Sequence, residues 1–306
     1  MTKKSLPGHI THWIEESLGT HASVEAVHQL AGSTSSDLYK VSINEGTGST
    51  DLVLRLFTNR EWLRDEPDLA PHEAAALQQA KLTGLPVPEF VALDADGKTC
   101  GFPAVLMTFL PGRVNLTPLN LESWLMQQAS ALLPIHAVSA GSFAWKYFPY
   151  NNLNELQASA WSKSPKNWQK AIEIVNQPSP PDTLECFIHR DYHPMNTLWQ
   201  NENLSGIVDW VNACRGPASI DAAWNRLNLA HSHGVNVAEK FLTLYESLSG
   251  TAGTYHPYWD LMAIIEDLPG PPSVYEPWKI FGLFTLSDAL IFERIEQYLE
   301  VVLRKF

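Results

Sequence analysis

The stretch HRDYHPMN, residues 189–196, sets two histidines, an arginine, an aspartate and an asparagine around one proline. Three kinds of chemistry use such a set. Imidazoles and a carboxylate can hold a metal, a carboxylate can accept a proton beside an oxygen ligand, or the side chains can merely stabilise a polar turn. The residues that follow narrow the choice. NTLWQNENLSGIVDW reads as a hairpin, with two short apolar runs flanking the turn formers NEN. A turn centred between Glu202 and Asn203 puts Asn196 directly opposite Asp209. Opposed residues have Cβ atoms about 5 Å apart, close enough for an amide oxygen and a carboxylate to share one hard cation of the magnesium type. Asp191 then lies on the loop that enters the hairpin.

The elements that must position these groups follow from periodicity. HITHWIEESLG places Ile10, Trp13, Ile14 and Leu18 at helical spacing and stops at Gly19. Three extended runs, VEAVHQL (24–30), DLYKVSI (37–43) and DLVLRLF (51–57), are separated by the turn-rich AGSTSS and NEGTGST, the pattern of an antiparallel meander. From Asp68, DLAPHEAAALQQAKLTG predicts a helix with an acidic cap, Pro71 in its first turn and Gly84 at its end. LPVPEFVALDADGKTCGFPAVLMTFLPG supplies two more strands around DADGK, and Pro111-Gly112 breaks the chain. That break divides an N-terminal part, 1–111, from a mainly helical part, 112–306. In the latter Leu121, Leu125, Ala129, Leu132 and His136 track one helix face, which Pro134 is expected to kink.

A chain of 306 residues suits two lobes meeting at a cleft. With 45% hydrophobic and 18% charged residues it has enough apolar surface to fold, which excludes an intrinsically disordered chain. A formal charge of −12 argues against a general nucleic-acid binder. Cys100, Cys186 and Cys214 lie far apart without a C-x-x-C pair, so neither a disulfide framework nor a cysteine metal site is expected. No apolar run of about eighteen residues and no leader-like start are present, so the expectation is a cytoplasmic protein without a membrane partner.

An aspartate, an asparagine five residues on and a second aspartate just past a hairpin form the layout of kinase-type phosphoryl transfer. HRDYHPMN, GIVDW and GPASIDAAW together resemble the aminoglycoside phosphotransferase family of kinase-like enzymes. The resemblance extends back through LAGSTSSDLYKV, LVLRLF, HEAAALQQAKLTGLPVPEFV and AVLMTFLPGR, so it covers roughly residues 24–230. It implies an α+β, bilobal, protein-kinase-like fold: an N-terminal antiparallel-sheet lobe that binds nucleotide, and a mainly helical C-terminal lobe with the catalytic loop and substrate pocket. The implied activity is ATP- and Mg2+-dependent transfer of the γ-phosphate to a hydroxyl of a small molecule such as an aminoglycoside, amino alcohol or sugar. GTP stays open beside ATP, and the oligomeric state is unread.

The same resemblance implies roles for individual residues. Asp191 receives the hydroxyl proton, and Asn196 and Asp209 hold magnesium. Arg55 takes the place of the phosphate-pairing lysine of protein kinases, with Glu73 as its partner. Ser33, Thr34 and Ser35 lie in the nucleotide loop, and Met107, Thr108 and Leu110 line the adenine site. His189 supports the catalytic loop, and His193 is structural or stands near the phosphate. Asp221 is expected to cap a helix. Three features depart from the family: Arg190 replaces a glycine, Arg55 replaces a lysine, and GSTSS is not G-x-G-x-x-G. Only eleven residues separate Asp209 from Asp221, too few for the activation segment that positions a protein substrate.

Two other readings stay open at this point. One is a nucleotide-binding regulatory protein that has lost transfer activity. The other is a metallohydrolase with zinc on His189, Asp191 and His193, helped by His231 and His233. The acceptor is unread, although Tyr258, Trp259, Asp260, Glu266 and Asp267 offer rings and carboxylates that suit a cationic ligand.

Overall fold

In the strand STDLVLRL, successive side chains must face opposite sides, so its leucines and its arginine part company. The computed structural model shows where each goes. It describes residues 2–30, 36–46, 48–158, 160–177, 181, 185–250, 255–266, 268 and 270–306. The chain divides into two units, residues 1–111 with 206–212, and residues 112–205 with 213–306.

The first unit opens with β1 (Thr2–Lys4) and α1 (Gly8–Leu18), then β2 (Ser23–Gln29), β3 (Asp37–Asn44) and β4 (Ser49–Leu56). After α2 (Arg60–Asp65) and α3 (Leu69–Ala80) come β5 (Phe90–Asp94) and β6 (Ala104–Thr108). The strands form one antiparallel sheet in the order β1-β2-β3-β4-β6-β5. Leu52, Leu54 and Leu56 of β4 share one core with Ile10 and Ile14 of α1, Val41 and Ile43 of β3, and Leu106 of β6. Alternation sends Arg55 to the opposite face, where it meets α3. Two elements escaped the periodicity reading because they are short: β1, and α2, which Asn59 caps by accepting the N–H groups of Glu61 and Trp62. Asp68 does not cap α3 with its side chain; its carbonyl receives the His72 N–H instead.

The second unit contains α4 (Leu121–Ala137), α5 (Pro165–Val175), β7 (Glu185–Ile188), β8 (Thr197–Gln200), β9 (Asn203–Ile207) and β10 (Cys214–Pro217). The helices α6 (Ser219–His233), α7 (Val235–Ser249), α8 (Tyr258–Ile265), α9 (Glu276–Ile280) and α10 (Asp288–Leu303) complete it. α4 stays continuous through Pro134. β7 pairs with β10, a small antiparallel sheet that the sequence did not signal. No helix among the described residues is long and apolar enough to cross a membrane.

The hairpin forms, but one residue earlier than predicted. Its two-residue turn is Asn201-Glu202, with φ of 47° and 62°, so the reversal is centred between those two. Paired positive φ values are what a two-residue hairpin loop requires. Glu202 is held there by tertiary bonds: its carboxylate accepts from Asn115 Nδ2 and from the Leu119 N–H, and its carbonyl accepts from Gln127 Nε2. The earlier centre removes the basis for setting Asn196 directly opposite Asp209.

Candidate active site

In the second unit the loop 189–196 is fixed from both ends. Tyr192 is fully buried and donates its hydroxyl to the Gln128 carbonyl of α4. Asp221, also fully buried, accepts the His189 N–H at 2.9 Å on Oδ2 and the Arg190 N–H at 2.6 Å on Oδ1. His136 Nε2 lies 3.0 Å from Oδ2, and its Nδ1 lies 3.2 Å from the Tyr245 hydroxyl. The expectation for Asp221 is thus corrected. It is structural, yet no side chain caps α6; its carboxylate turns back to hold the backbone of the loop.

Pro194–Asn196 forms a single tight turn, which brings Asn196 back over Asp191. Asn196 Nδ2 donates to the Asp191 carbonyl at 2.9 Å and lies 3.1 Å from its Oδ2. Trp224 Nε1 donates to Oδ1 at 2.8 Å, and His193 Nε2 stands 3.5 Å from the same oxygen. Burial alone would push the Asp191 carboxyl up, but the neighbouring His193, with help from His189 and Trp224, brings it below the usual carboxylate value. The group is therefore an anion near neutrality. Its side chain remains 26% exposed, so it can still be reached. Trp224 carried no assignment from sequence. The available signal was its place three residues after Asp221, which sets both on one side of α6.

In the first unit Arg55 is the centre. Its Nε donates to Ser36 Oγ at 2.8 Å, and its Nη1 donates to Glu73 Oε1 at 2.5 Å and to Asp209 Oδ1 at 2.8 Å. Burial would lower the guanidinium, but Asp209 and Glu73 outweigh it and hold Arg55 above its ordinary value. Burial raises the Glu73 carboxyl and Asp209 adds to this, beyond what one shared guanidinium restores. Asp209 has a φ of 66°, a left-handed conformation that aspartate tolerates better than most residues.

The other predicted positions are less informative. Met107 is buried in β6 opposite Val53, and Thr108 ends that strand, its Oγ1 accepting the Glu89 N–H. The Leu110 N–H makes no hydrogen bond among the described residues. Ser33, Thr34 and Ser35 lie outside the described residues. Asn196 Oδ1 and Asp209 Oδ2 each accept no hydrogen bond among the described residues. Both are hard oxygen donors, the chemistry magnesium takes.

The zinc reading finds no such donors: no group of three or more His, Cys, Asp and Glu among the described residues could hold a metal ion. His233 Nε2 is engaged by the Leu116 carbonyl, and the His231 ring packs near Trp278. The aromatic stretch proposed for a cationic ligand is core. Tyr258 and Trp259 are buried, and the fully buried Asp260 pairs with Arg226 and accepts from Tyr255 and Tyr298. Asp267 is outside the described residues.

A sheet unit carrying a buried arginine–glutamate pair and a helical unit carrying an ionised aspartate on a braced loop define a protein of the kinase-like class. The model of the phosphotransferase enzyme family matches residues 26–270, and the chain belongs to that family. It is 26% identical over 204 residues to a homoserine kinase of Methylocella silvestris, a match covering 59% of this chain and 61% of that one. The chain thus spans about three fifths of the length of that curated relative. Among solved structures, the macrolide 2′-phosphotransferase MphH of Brachybacterium faecium superposes with a TM-score of 0.55 at 15% identity, covering 88% of this chain and 90% of that one. A thermostable mutant of aminoglycoside phosphotransferase APH(4)-Ia, in a ternary complex with ADP and hygromycin B, gives 0.62 at 15% identity, covering 95% and 98%. At such identities the likeness is one of fold.

Proposed function

We propose that this protein is a small-molecule kinase that transfers the γ-phosphate of ATP, with magnesium, to an alcohol group. The observation that carries the reading is Asp191: an anion, oriented by Trp224 and Asn196, on a loop braced through Asp221. Two carboxylate oxygens offer about four acceptor positions, so an acceptor hydroxyl can still bond there. The transition state of phosphoryl transfer is loose, so Asp191 need only orient the hydroxyl and take its proton late.

Arg55, fixed by Ser36 and Glu73, is the cation assigned to the nucleotide phosphates. Asn196 and Asp209 are the assigned metal ligands, supported by their unengaged oxygens. Magnesium, when bound, offsets the charge on the phosphate oxygens. Met107, Thr108 and Leu110 are assigned to adenine, for which the unengaged Leu110 N–H is a donor. Ser33, Thr34 and Ser35 keep their assignment to the phosphates on resemblance alone. Three buried free thiols fit a reducing compartment, the cytoplasm.

The test is γ-phosphate transfer from ATP and Mg2+ across hydroxylated acceptors, including homoserine, choline, sugars and aminoglycosides. Wild-type protein should phosphorylate at least one, and Asp191→Ala should abolish transfer while still binding ATP. Equal turnover by the variant removes the assignment.

A further inference from the structure

Arg190 stands immediately before the proton acceptor, with a φ of 66°. A residue bearing a Cβ disfavours that conformation, which glycine adopts freely. The arginine is 7% exposed. Its guanidinium carbon lies 4.8 Å from the Tyr147 ring, 4.9 Å from Phe148 and 4.1 Å from Tyr150. Ring faces attract the charge, but they satisfy the directed N–H groups of the fork only weakly. Neither Nη1 nor Nη2 has a hydrogen-bond partner among the described residues. The Glu266 carboxylate acts on the charge through space, without bonding either nitrogen.

A strained backbone and a buried fork with open bonds thus coincide on the residue beside Asp191. Such coincidences are to be read as function, because packing alone would favour a small or apolar residue there. We propose that Arg190 binds an acidic group of the phosphate acceptor, a carboxylate or a phosphate ester, so that the acceptor is a hydroxy acid and not a cation. The proposal rests on the phosphotransferase reading and names its substrate class. The guanidinium fork matches either anion through two parallel hydrogen bonds. Adjacent Cα atoms are about 3.8 Å apart, so the Asp191 and Arg190 side chains leave the backbone from neighbouring points. Phe148 and Tyr150 cover the fork, and both are half-exposed. They lie on a stretch outside helices and strands.

The experiment uses matched acceptors that differ only in charge: homoserine against its primary amide, glycerate against glyceramide, and glycerol 3-phosphate against glycerol. For wild-type protein, kcat/KM should favour the acidic member of at least one pair by about 10- to 100-fold, the range of a charge-assisted hydrogen bond. The pair that shows the preference identifies carboxylate or phosphate. Arg190→Met should bring the ratio to near one, and Arg190→Lys should leave it in between. A loss of folding or of overall rate scales both members alike, so the ratio reports recognition. A wild-type ratio near one, or a ratio unchanged in Arg190→Met, overturns the proposal and leaves the kinase reading standing. If no acceptor is phosphorylated, the kinase reading fails. Calorimetric titration of glycerate and glycerol 3-phosphate into wild type and Arg190→Met, with ADP and Mg2+, then decides the inference. Binding lost in the variant supports it, and binding by neither or equally by both overturns it.

Discussion

Asp221→Ala separates bracing of the loop from ordinary helix capping. If the carboxylate only capped α6, its loss would cost about 1 kcal/mol and leave the catalytic loop intact. The structure predicts a larger effect. The substitution strands the buried N–H groups of His189 and Arg190 and removes the Nε2 partner of His136, whose ring is 10% exposed and keeps the Tyr245 hydroxyl on Nδ1. Each stranded buried donor costs about 1–3 kcal/mol, so the two amides together cost about 4 kcal/mol. At roughly 2–4 °C per kcal/mol, Tm should fall by about 10 °C. Asp221→Asn keeps one acceptor oxygen and should lose about half as much. Thermal and urea unfolding measure the cost, and hydrogen exchange at the amides of residues 189 and 190 locates it. An alanine variant within about 1 kcal/mol of wild type, with both amides still protected, refutes the bracing argument.

Trp224→Phe keeps a ring but removes the N–H that orients Asp191, so kcat should fall by roughly tenfold while ATP affinity holds; steady-state kinetics with a phosphorylated acceptor reads this. Arg55→Met leaves Glu73 and Asp209 without their shared cation and should destabilise the protein by about 3–5 kcal/mol, whereas Arg55→Lys should do less harm. Urea unfolding compares the two, and a methionine variant as stable as wild type counts against the pair. Glu296 gives the pH dependence. Burial raises its carboxyl, but bonds from Ser162, Ser164 and Trp168 bring it below the ordinary glutamate value. A lowered folded value means stability that is present above the ordinary value and lost as pH falls through the folded one. Stability between about pH 5 and 3 should therefore decline more steeply in wild type than in Glu296→Gln.

Local pattern carried some parts of this molecule and not others. The strands β2 to β6 and the helices α1 and α3 follow from alternation, helical spacing and turn residues, which act over a few neighbours. The hairpin was legible, but its centre was not: NEN allows two reversals, and Glu202 settles into one because Asn115, Leu119 and Gln127 hold it there. Tyr258, Trp259 and Asp260 look like a ligand cradle in sequence. They are core because Arg226, from α6, answers the charge of Asp260.

The sequence by itself determined which side chains can do chemistry: an aspartate, an asparagine and a second aspartate around a hairpin, with an arginine on a strand and a glutamate on a helix. These are matters of residue type and short-range spacing. Only the tertiary structure decided what each one touches. It turned Asp221 from a helix cap into the anchor of the loop, brought Trp224 onto Asp191, joined Arg55 to Asp209 across 154 positions of chain, and left Nη1 and Nη2 of Arg190 among aromatic rings without a hydrogen bond among the described residues. Hydrogen bonds and ion pairs between residues distant in sequence depend on how the elements pack, and no local spacing encodes that.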